Sequence, residues 1–303
     1  MTSETITAAA AGTFKLGDLP VNRIGFGAMR LTQNGAAFGN GAPSDRDRAI
    51  QVLRDAVELG VNHIDTAAFY FSPLRSANEL INRALAPYPD GLVITTKVGP
   101  GRDPWGEWLW ASPEQLRGQV EENLRQLGRD HLDVVNLRIP QSLASGSIAE
   151  HFGALADLRD SGLIRHLGIS NVTPGHLAEA QTIAPVVCVQ NPYGVGARIE
   201  DHEFLRACGE QGVAFVPFYA IAGAGRDAGA SATDSDEVLA VARAHGASAA
   251  QVRLAWALQR GPHVLVIPGT GNPGHLVDNV AAGALRLSDA DIASLQTLRQ
   301  DSE

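Results

Sequence analysis

The chain has 303 residues, a net charge of −9, and 45% hydrophobic against 19% charged residues, which suits a soluble α/β domain with a sizeable core. The acidic balance speaks against a nucleic-acid or anionic-membrane surface, and no apolar run approaches the roughly 20 residues a membrane span needs. The only cysteines, Cys188 and Cys208, have neither CxxC nor metal-ligand spacing, and the opening MTSETITAAAAGTF lacks a secretion signal's basic start and apolar core, so a cytoplasmic protein without disulfide or metal is expected.

Taken in order, the chain alternates strand-like and helix-like stretches to its end. Phe14 to Leu19 reads as part of an N-terminal hairpin, and Arg23 to Gly27 (RIGFG) as the first core strand. Leu31 to Pro43 is a glycine-rich loop. Ser44 with Asp47 three residues on is a helix start, and Ile50, Leu53 and Val57 follow at helical spacing. After Gly60 comes the strand of V-N-H-I-D-T-A-A-F-Y, residues 61–70, then a helix near 76–85. The same unit recurs as strand 92–96 with helix 112–127, strand 132–137 with helix 147–161, and strand 164–169 with helix 174–184. It continues as strand 186–190 with helix 200–211, strand 213–218 with helices around 236–244 and 249–259, and strand 264–267 with helix 274–282. A last helix runs from Ser288 toward Leu298.

Short apolar strands bounded by glycine or polar residues are those of a parallel sheet buried on both faces. About eight such units over this length predict a (β/α)8 TIM barrel with a short N-terminal hairpin, residues 1–303 forming one domain. In such a barrel the C-terminal strand ends face one pocket. They carry Asp65 with Tyr70 beyond it, Lys97, Arg138, Ser170–Asn171, Gln190–Asn191, Phe218 and Pro268–Gly269–Thr270. Lysine occurs elsewhere only at Lys15.

These residue types suit one chemistry. A carboxylate holds a buried ammonium in its charged form, and an ammonium near a phenol favours the phenolate, drawing the tyrosine pKa from about 10 toward neutrality. A tyrosine so tuned acts as a general acid near pH 7. The carboxamides of strands five and six suit a flat amide-bearing ring, on which Phe218 can stack. Taken singly, Asp65 as a turn cap and Tyr70 as a packed loop aromatic are the better readings; Lys97, placed the same way on the next strand, turns the balance.

The sequence resembles the aldo-keto reductases. The segments that carry this are GFGAMR (25–30), HIDTAAFY (63–70) with Glu79 in the helix after it, ITTKV (94–98) and LDVVNL (132–137). IRHLGISN (164–171), VCVQNPY (187–193), VAFVPF (213–218) and VLVIPGTGNPGHLVDN (264–279) follow in family order. The resemblance implies an NADP(H)-dependent carbonyl reductase in which Asp65, Tyr70 and Lys97 are catalytic. It assigns the nicotinamide carboxamide to Ser170, Asn171 and Gln190, ring stacking to Phe218, and further cofactor contacts to Gly27, Ala28, Met29 and Asp65. Pro268, Gly269, Thr270, His275 and Asn279 belong to the last cofactor loop. The family's usual lysine and arginine for the 2′-phosphate are Gly269 and His275 here, and Arg226 is a candidate replacement charge.

At the fourth strand end the family's usual histidine is replaced by Arg138. A fixed charge with a fork of donors has three possible uses: polarising the carbonyl, binding a substrate anion, or pairing with a nearby carboxylate. VVNLR together with IPGT resembles a bacterial branch that reduces pyridoxal, whose phenolate oxygen lies beside its aldehyde. Rival functions are a non-enzymatic NADP-binding redox sensor, a Schiff-base lyase using Lys97, and a reductase of a sugar, ketone or conjugated double bond. The partner expected is a small carbonyl substrate, with the chain a monomer or small homo-oligomer.

Several features invite other readings. Gly269-x-Gly271-x-x-Gly274 matches a dinucleotide fingerprint, but too little chain follows for that fold, and a phosphate loop at the end of a barrel strand fits better. Gly223-Ala224-Gly225 is a similar decoy. Trp105, Trp108, Trp110, Phe38 and Phe71 are candidate substrate walls, and Tyr193 a second pocket aromatic. His63 and Cys188 read as packed strand residues, and Asp133 and Arg165 as pairing at the strand edge and barrel base.

Overall fold

The computed structural model describes residues 6–34, 41–102, 107–140, 146–221 and 234–296. Phe38, Trp105, the Gly223-Ala224-Gly225 stretch, Arg226 and Leu298 lie outside them.

A hairpin comes first, β1 (Thr13–Leu16) against β2 (Leu19–Asn22), antiparallel with Phe14 opposite Val21. The barrel begins with β3 (Phe26–Gly27), α1 (Arg46–Glu58) and β4 (His63–Asp65). A two-residue hairpin, β5 (Phe71–Ser72) and β6 (Arg75–Ser76), leads into α2 (Ala77–Leu85). Then come β7 (Val93–Val98), a second hairpin of β8 (Pro100–Arg102) and β9 (Trp108–Trp110), and α3 (Leu116–Leu127). The remainder is β10 (Leu132–Arg138), α4 (Ala149–Asp160), β11 (Ile164–Ser170), α5 (Pro174–Gln181), β12 (Val186–Gln190), α6 (Ile199–Glu210), β13 (Ala214–Phe215), α7 (Asp236–His245), α8 (Ala249–Leu258), α9 (Pro273–Ala281) and α10 (Asp289–Gln296).

The seven parallel strands run in the order β13, β12, β11, β10, β7, β4, β3. Residues 264–266 join the two edges: Val264 bridges to Phe215, and Val266 to Ile24. Gly25 N–H donates to Val266 O at 2.8 Å, and Leu265 N–H to Phe215 O at 2.9 Å. The eighth strand is thus a narrow closing piece, and the sheet becomes the expected (β/α)8 barrel, with no open edge. The first core strand is shorter than the expected 23–27 for a reason visible at its end. A Cβ on Gly269 would lie 2.4 Å from Gly27 O, and one on Gly27 2.6 Å from Ile267 O. The first and last strands meet there backbone against backbone, and only glycine fits.

Local signals place the helices. Asp45, one residue later than expected, caps α1 by accepting from Arg48 N–H at 3.0 Å, while Ser44 Oγ donates to Leu31 O. The apolar stripe Ile50, Leu53 and Ala56 then faces the barrel. Ser76 caps α2, and a capping box at Ser112 opens the turn before α3. The β5–β6 and β8–β9 hairpins carry no alternating apolar pattern, and their stretches read as loops in the sequence.

Two apolar clusters result. The larger lies between barrel and helices. The smaller contains Val93, Val134, Val216 and Leu265 with Leu16 and Val21 of the hairpin, so the hairpin plugs the barrel base. Because side chains alternate along a strand, every second residue above Val93 and Val134 also points inward, which brings Thr95 and Lys97, Asn136 and Arg138 up the bore. Arg165 and Asp18 pair at the base at 2.6 Å, and Asp133 pairs with Arg129 and accepts from Ile94 N–H, the structural roles expected of them. No helix among the described residues is long and apolar enough to cross a membrane.

Candidate active site

At the upper end of the bore, β4 delivers Asp65 and β7 delivers Lys97. Their side chains are 4% and 2% exposed, and Lys97 Nζ donates to Asp65 Oδ1 at 2.6 Å and to Thr66 O at 3.0 Å. Burial disfavours the ammonium, but Asp65, and next Tyr70, outweigh it, and the Lys97 pKa is raised above its ordinary value. Lys97 therefore stays charged although it lies deep in the barrel. The Tyr70 ring stands over it, centroid 4.8 Å from Nζ, and Phe69 meets Tyr70 edge-on at 5.2 Å.

A second strand grips the same carboxylate. Gln190 Nε2 on β12 donates to Asp65 Oδ2 at 2.8 Å, while Gln190 Oε1 is buried without a partner. On β10, Arg138 donates from a guanidinium nitrogen to Ser170 Oγ at 3.2 Å, and its guanidinium lies 4.8 Å from the Phe218 ring centroid. Among the described residues Arg138 has no carboxylate partner.

These groups share one cavity of about 1330 Å³. That exceeds the roughly 300–1,000 Å³ of a site for one small ligand and has room for a cofactor beside a substrate. Of the expected residues, its wall holds Asp65, Tyr70, Lys97, Arg138, Gly27, Met29, Gln190, Phe218, Pro268, Gly269 and Thr270. Five expected cofactor residues lie off that wall. Ala28, Ser170 and Asn279 are buried; Asn171 donates from Nδ2 to Ile139 O at 2.8 Å; His275 is exposed in the first turn of α9. Asn272 caps that helix, accepting from Gly274 N–H at 2.8 Å.

The other aromatics divide. Trp108 lines the cavity, whereas Trp110 packs on His151 at 5.1 Å and Phe71 lies on a neighbouring groove. Tyr193 is not a pocket aromatic: its hydroxyl meets His202 Nδ1 at 2.6 Å and its ring stacks on Trp256 at 5.5 Å, beneath the surface between α6 and α8. Phe69 and Tyr219 line the cavity and went unread in the sequence. Phe69 borders Tyr70, and that adjacency was its only signal; Tyr219 sits at φ 65° just past Phe218, a conformation that a tyrosine does not announce. His63, two residues below Asp65, faces Thr95 Oγ1 at 3.0 Å, and burial lowers its pKa to about 4. Burial pushes the Cys188 thiol up to about 12, and its sulfur meets Asn136 Oδ1, so both are inert packing. No group of His, Cys, Asp or Glu among the described residues suits a metal ion.

Strand-end donors, an aromatic platform and a charged lysine–aspartate pair at the top of a (β/α)8 barrel define an oxidoreductase pocket for a carbonyl compound. Residues 23–300 match the aldo/keto reductase family, and the chain belongs to that family. The family's reductant is NADP(H), and the chain is an oxidoreductase of that class. It is 43% identical over 297 residues to pyridoxine 4-dehydrogenase of Escherichia coli (strain K12), covering 96% of this chain and 100% of that protein. It is 38% identical to an uncharacterized oxidoreductase of Schizosaccharomyces pombe, covering 97% of this chain and 92% of that one. An aldo-keto reductase from Klebsiella pneumoniae, solved in complex with NADPH, superposes with a TM-score of 0.73 at 27% identity, covering 92% of this chain and 91% of that one.

Proposed function

We propose that this chain is a cytoplasmic NADPH-dependent reductase of aromatic aldehydes that carry an ionised oxygen beside the carbonyl, with pyridoxal, reduced to pyridoxine, as the substrate. The observation that carries it is Arg138: a half-buried guanidinium on the cavity wall, without a carboxylate partner among the described residues, beside the Asp65–Lys97 pair. A fixed fork of donors suits a phenolate oxygen next to a carbonyl better than a neutral imidazole would. The name of the Escherichia coli relative agrees with this reading.

The cofactor fits the residues present. Gln190 Oε1 is a buried acceptor without a partner, and an amide N–H₂ group satisfies it. Phe218 offers a ring face, and Gly27, Gly269 and Thr270 give a close backbone wall for the rest of the molecule. When bound, NADPH supplies hydride to the carbonyl carbon. Tyr70 donates its hydroxyl proton to the carbonyl oxygen. Lys97, held charged by Asp65, stabilises the phenolate left on Tyr70, and Gln190 fixes the second oxygen of Asp65. Arg138 binds the neighbouring anionic oxygen and turns the carbonyl toward Tyr70. Phe69 and Trp108 close the apolar side of the substrate space.

The test follows NADPH absorbance with pyridoxal and with benzaldehyde, in the wild type and in Tyr70→Phe and Arg138→Met. Turnover of both aldehydes, lost in Tyr70→Phe, is expected. So is a kcat/KM preference for pyridoxal of about tenfold or more that Arg138→Met abolishes, as for one charge-assisted contact. Equal kcat/KM for the two aldehydes in the wild type, or no turnover of pyridoxal, overturns the substrate assignment.

A further inference from the structure

We propose that Arg46 and Arg48, in the first turn of α1, form the receptor for the 2′-phosphate of the cofactor and so set the preference for NADPH over NADH. This rests on the reading above that the nicotinamide amide meets Gln190 and the rest of the molecule follows the Gly27–Gly269 wall.

The cavity is positive in an acidic protein. Its wall carries Arg30, Arg46, Arg48, Arg75, Lys97 and Arg138 against two carboxylates, Asp45 and Asp65, in a chain of net charge −9. One sign of charge gathered in a cleft concentrates ligands of the other sign there, which suits a polyanion. Lys97 is committed to Asp65, and Arg138 stands at Ser170 and Phe218, so these two charges belong to the reacting end. Arg30 follows β3 in a short turn, and Arg75 lies in the β5–β6 hairpin. Arg46 and Arg48 open α1.

Topology selects the last two. Ile24, just before β3, bridges to Val266 of the closing strand, and α1 and α9, the helices that follow these two neighbours, pack on each other. Both helices follow parallel strands, so both start at the upper end of the barrel. The cavity wall accordingly holds Thr270, Gly271 and Asn272 before α9, and Arg46, Arg48 and Ala49 of α1. A dinucleotide that leaves the bore over the Gly27–Gly269 seam passes between these two walls. The α9 side is neutral, and Asn272 is taken up in capping its own helix. The charge therefore comes from α1.

The neighbouring acids leave that charge available. Asp45 accepts the Arg48 backbone N–H at 3.0 Å, and this bond holds its carboxyl below the usual carboxylate range, so its charge serves the helix terminus. Arg46 meets Asp47 only at 3.8 Å with both side chains exposed, a pair of little worth. Both arginines are exposed, which fits the ribose phosphate at the far end of the dinucleotide, while the pyrophosphate lies nearer the backbone of the seam.

The test measures affinity without turnover. Kd values for NADPH and for NADH are determined by quenching of tryptophan fluorescence in the wild type, Arg46→Gln, Arg48→Gln and the double variant. Glutamine keeps the helix propensity of arginine and leaves the Asp45 cap intact, and melting curves check the fold. The wild type is expected to prefer NADPH. Each single variant is expected to weaken NADPH about threefold and the double variant about tenfold or more, with NADH within about twofold throughout. Unchanged NADPH affinity in the double variant overturns the assignment. So does an equal loss for both cofactors, which would put the arginines on the pyrophosphate. The reductase reading fails separately. A protein whose NADPH affinity depends on the two arginines but which leaves pyridoxal unreduced loses the substrate and keeps the receptor. One that reduces pyridoxal with an unmoved ratio of NADPH to NADH affinity keeps the substrate and loses the receptor.

Discussion

Gln190 Nε2 donates to Asp65 Oδ2 at 2.8 Å while Lys97 Nζ donates to Asp65 Oδ1 at 2.6 Å, so the carboxylate is clamped from both oxygens by residues of two other strands. Asp65 has no freedom to turn away from Lys97, and the ammonium beneath Tyr70 is fixed in place and in charge. The same amide commits its nitrogen to Asp65 and leaves its oxygen buried without a partner.

Removing either half of the clamp has a calculable result. Asp65→Asn leaves Lys97 charged, buried and unpaired, and is expected to cost about 3–5 kcal/mol of stability. Replacing both at once, Asp65→Asn with Lys97→Met, is expected to recover much of that loss and none of the activity. Urea unfolding of the two proteins checks the first statement and NADPH oxidation the second; a single variant as stable as the wild type would show that the pair is not desolvated as described.

Tyr70→Phe removes one hydroxyl from a wall otherwise unchanged. A fall in kcat of about 10²- to 10⁴-fold is expected, the usual worth of a positioned acid, with NADPH affinity within twofold of the wild type as an approximate bound. Steady-state kinetics and fluorescence titration separate the two quantities. A variant with wild-type kcat would remove Tyr70 from the mechanism.

The pH profile of kcat is expected to show no histidine step between pH 5.5 and 7.5, as an approximate window around an ordinary imidazole. No histidine lies among the described residues that line the cavity. His63, two residues below Asp65, has its pKa lowered to about 4. A bell with a limb near the ordinary imidazole value would contradict this.

The same histidine should be visible in stability. Its folded pKa lies below the unfolded value, so the unfolded chain binds the proton first and stability is lost as pH falls from about 6.5 toward 4. Above that window His63 contributes no pH dependence. At pH 4.5 the linkage amounts to about 2–3 kcal/mol. Urea midpoints of the wild type and His63→Gln at pH 7 and 4.5 test it: the variant should lose less on acidification, and an equal loss in both would exclude His63.

The cofactor loop gives a pair of contrasting outcomes. His275 is exposed in the first turn of α9, so His275→Arg adds a charge without disturbing packing and is expected to raise NADPH affinity over NADH by about tenfold. Gly269→Lys, the other family cation, puts a Cβ 2.4 Å from Gly27 O and is expected to lower the melting temperature by several degrees instead. A Gly269→Lys protein of unchanged Tm would mean that the barrel seam yields more than its backbone contact implies.

How much of this was legible beforehand follows from where each signal resides. The alternation of short apolar strands with capped helices is local chemistry, and it determined the barrel, the hairpin and the element limits to within a few residues, with strand 186–190 to the residue. Their places at C-terminal strand ends likewise put Asp65, Lys97, Arg138 and Gln190 at one end of the barrel. What the sequence could not hold was the choice among partners. Gln190 and Asn171 read as carboxamide-binding positions, and the fold also gives their nitrogens to Asp65 and to Ile139 O; Tyr193 reads as a pocket aromatic, yet stacks on Trp256. Arg138 had three readings, and only closure of the barrel brought Ser170 and Phe218 to it without an ion pair to any described carboxylate. Periodicity is written in neighbours along the chain, so the sequence determined the elements and the strand ends that meet at the pocket. A hydrogen bond goes to whichever group the fold sets within about 3 Å, and that distance exists only once strands far apart in sequence are packed side by side.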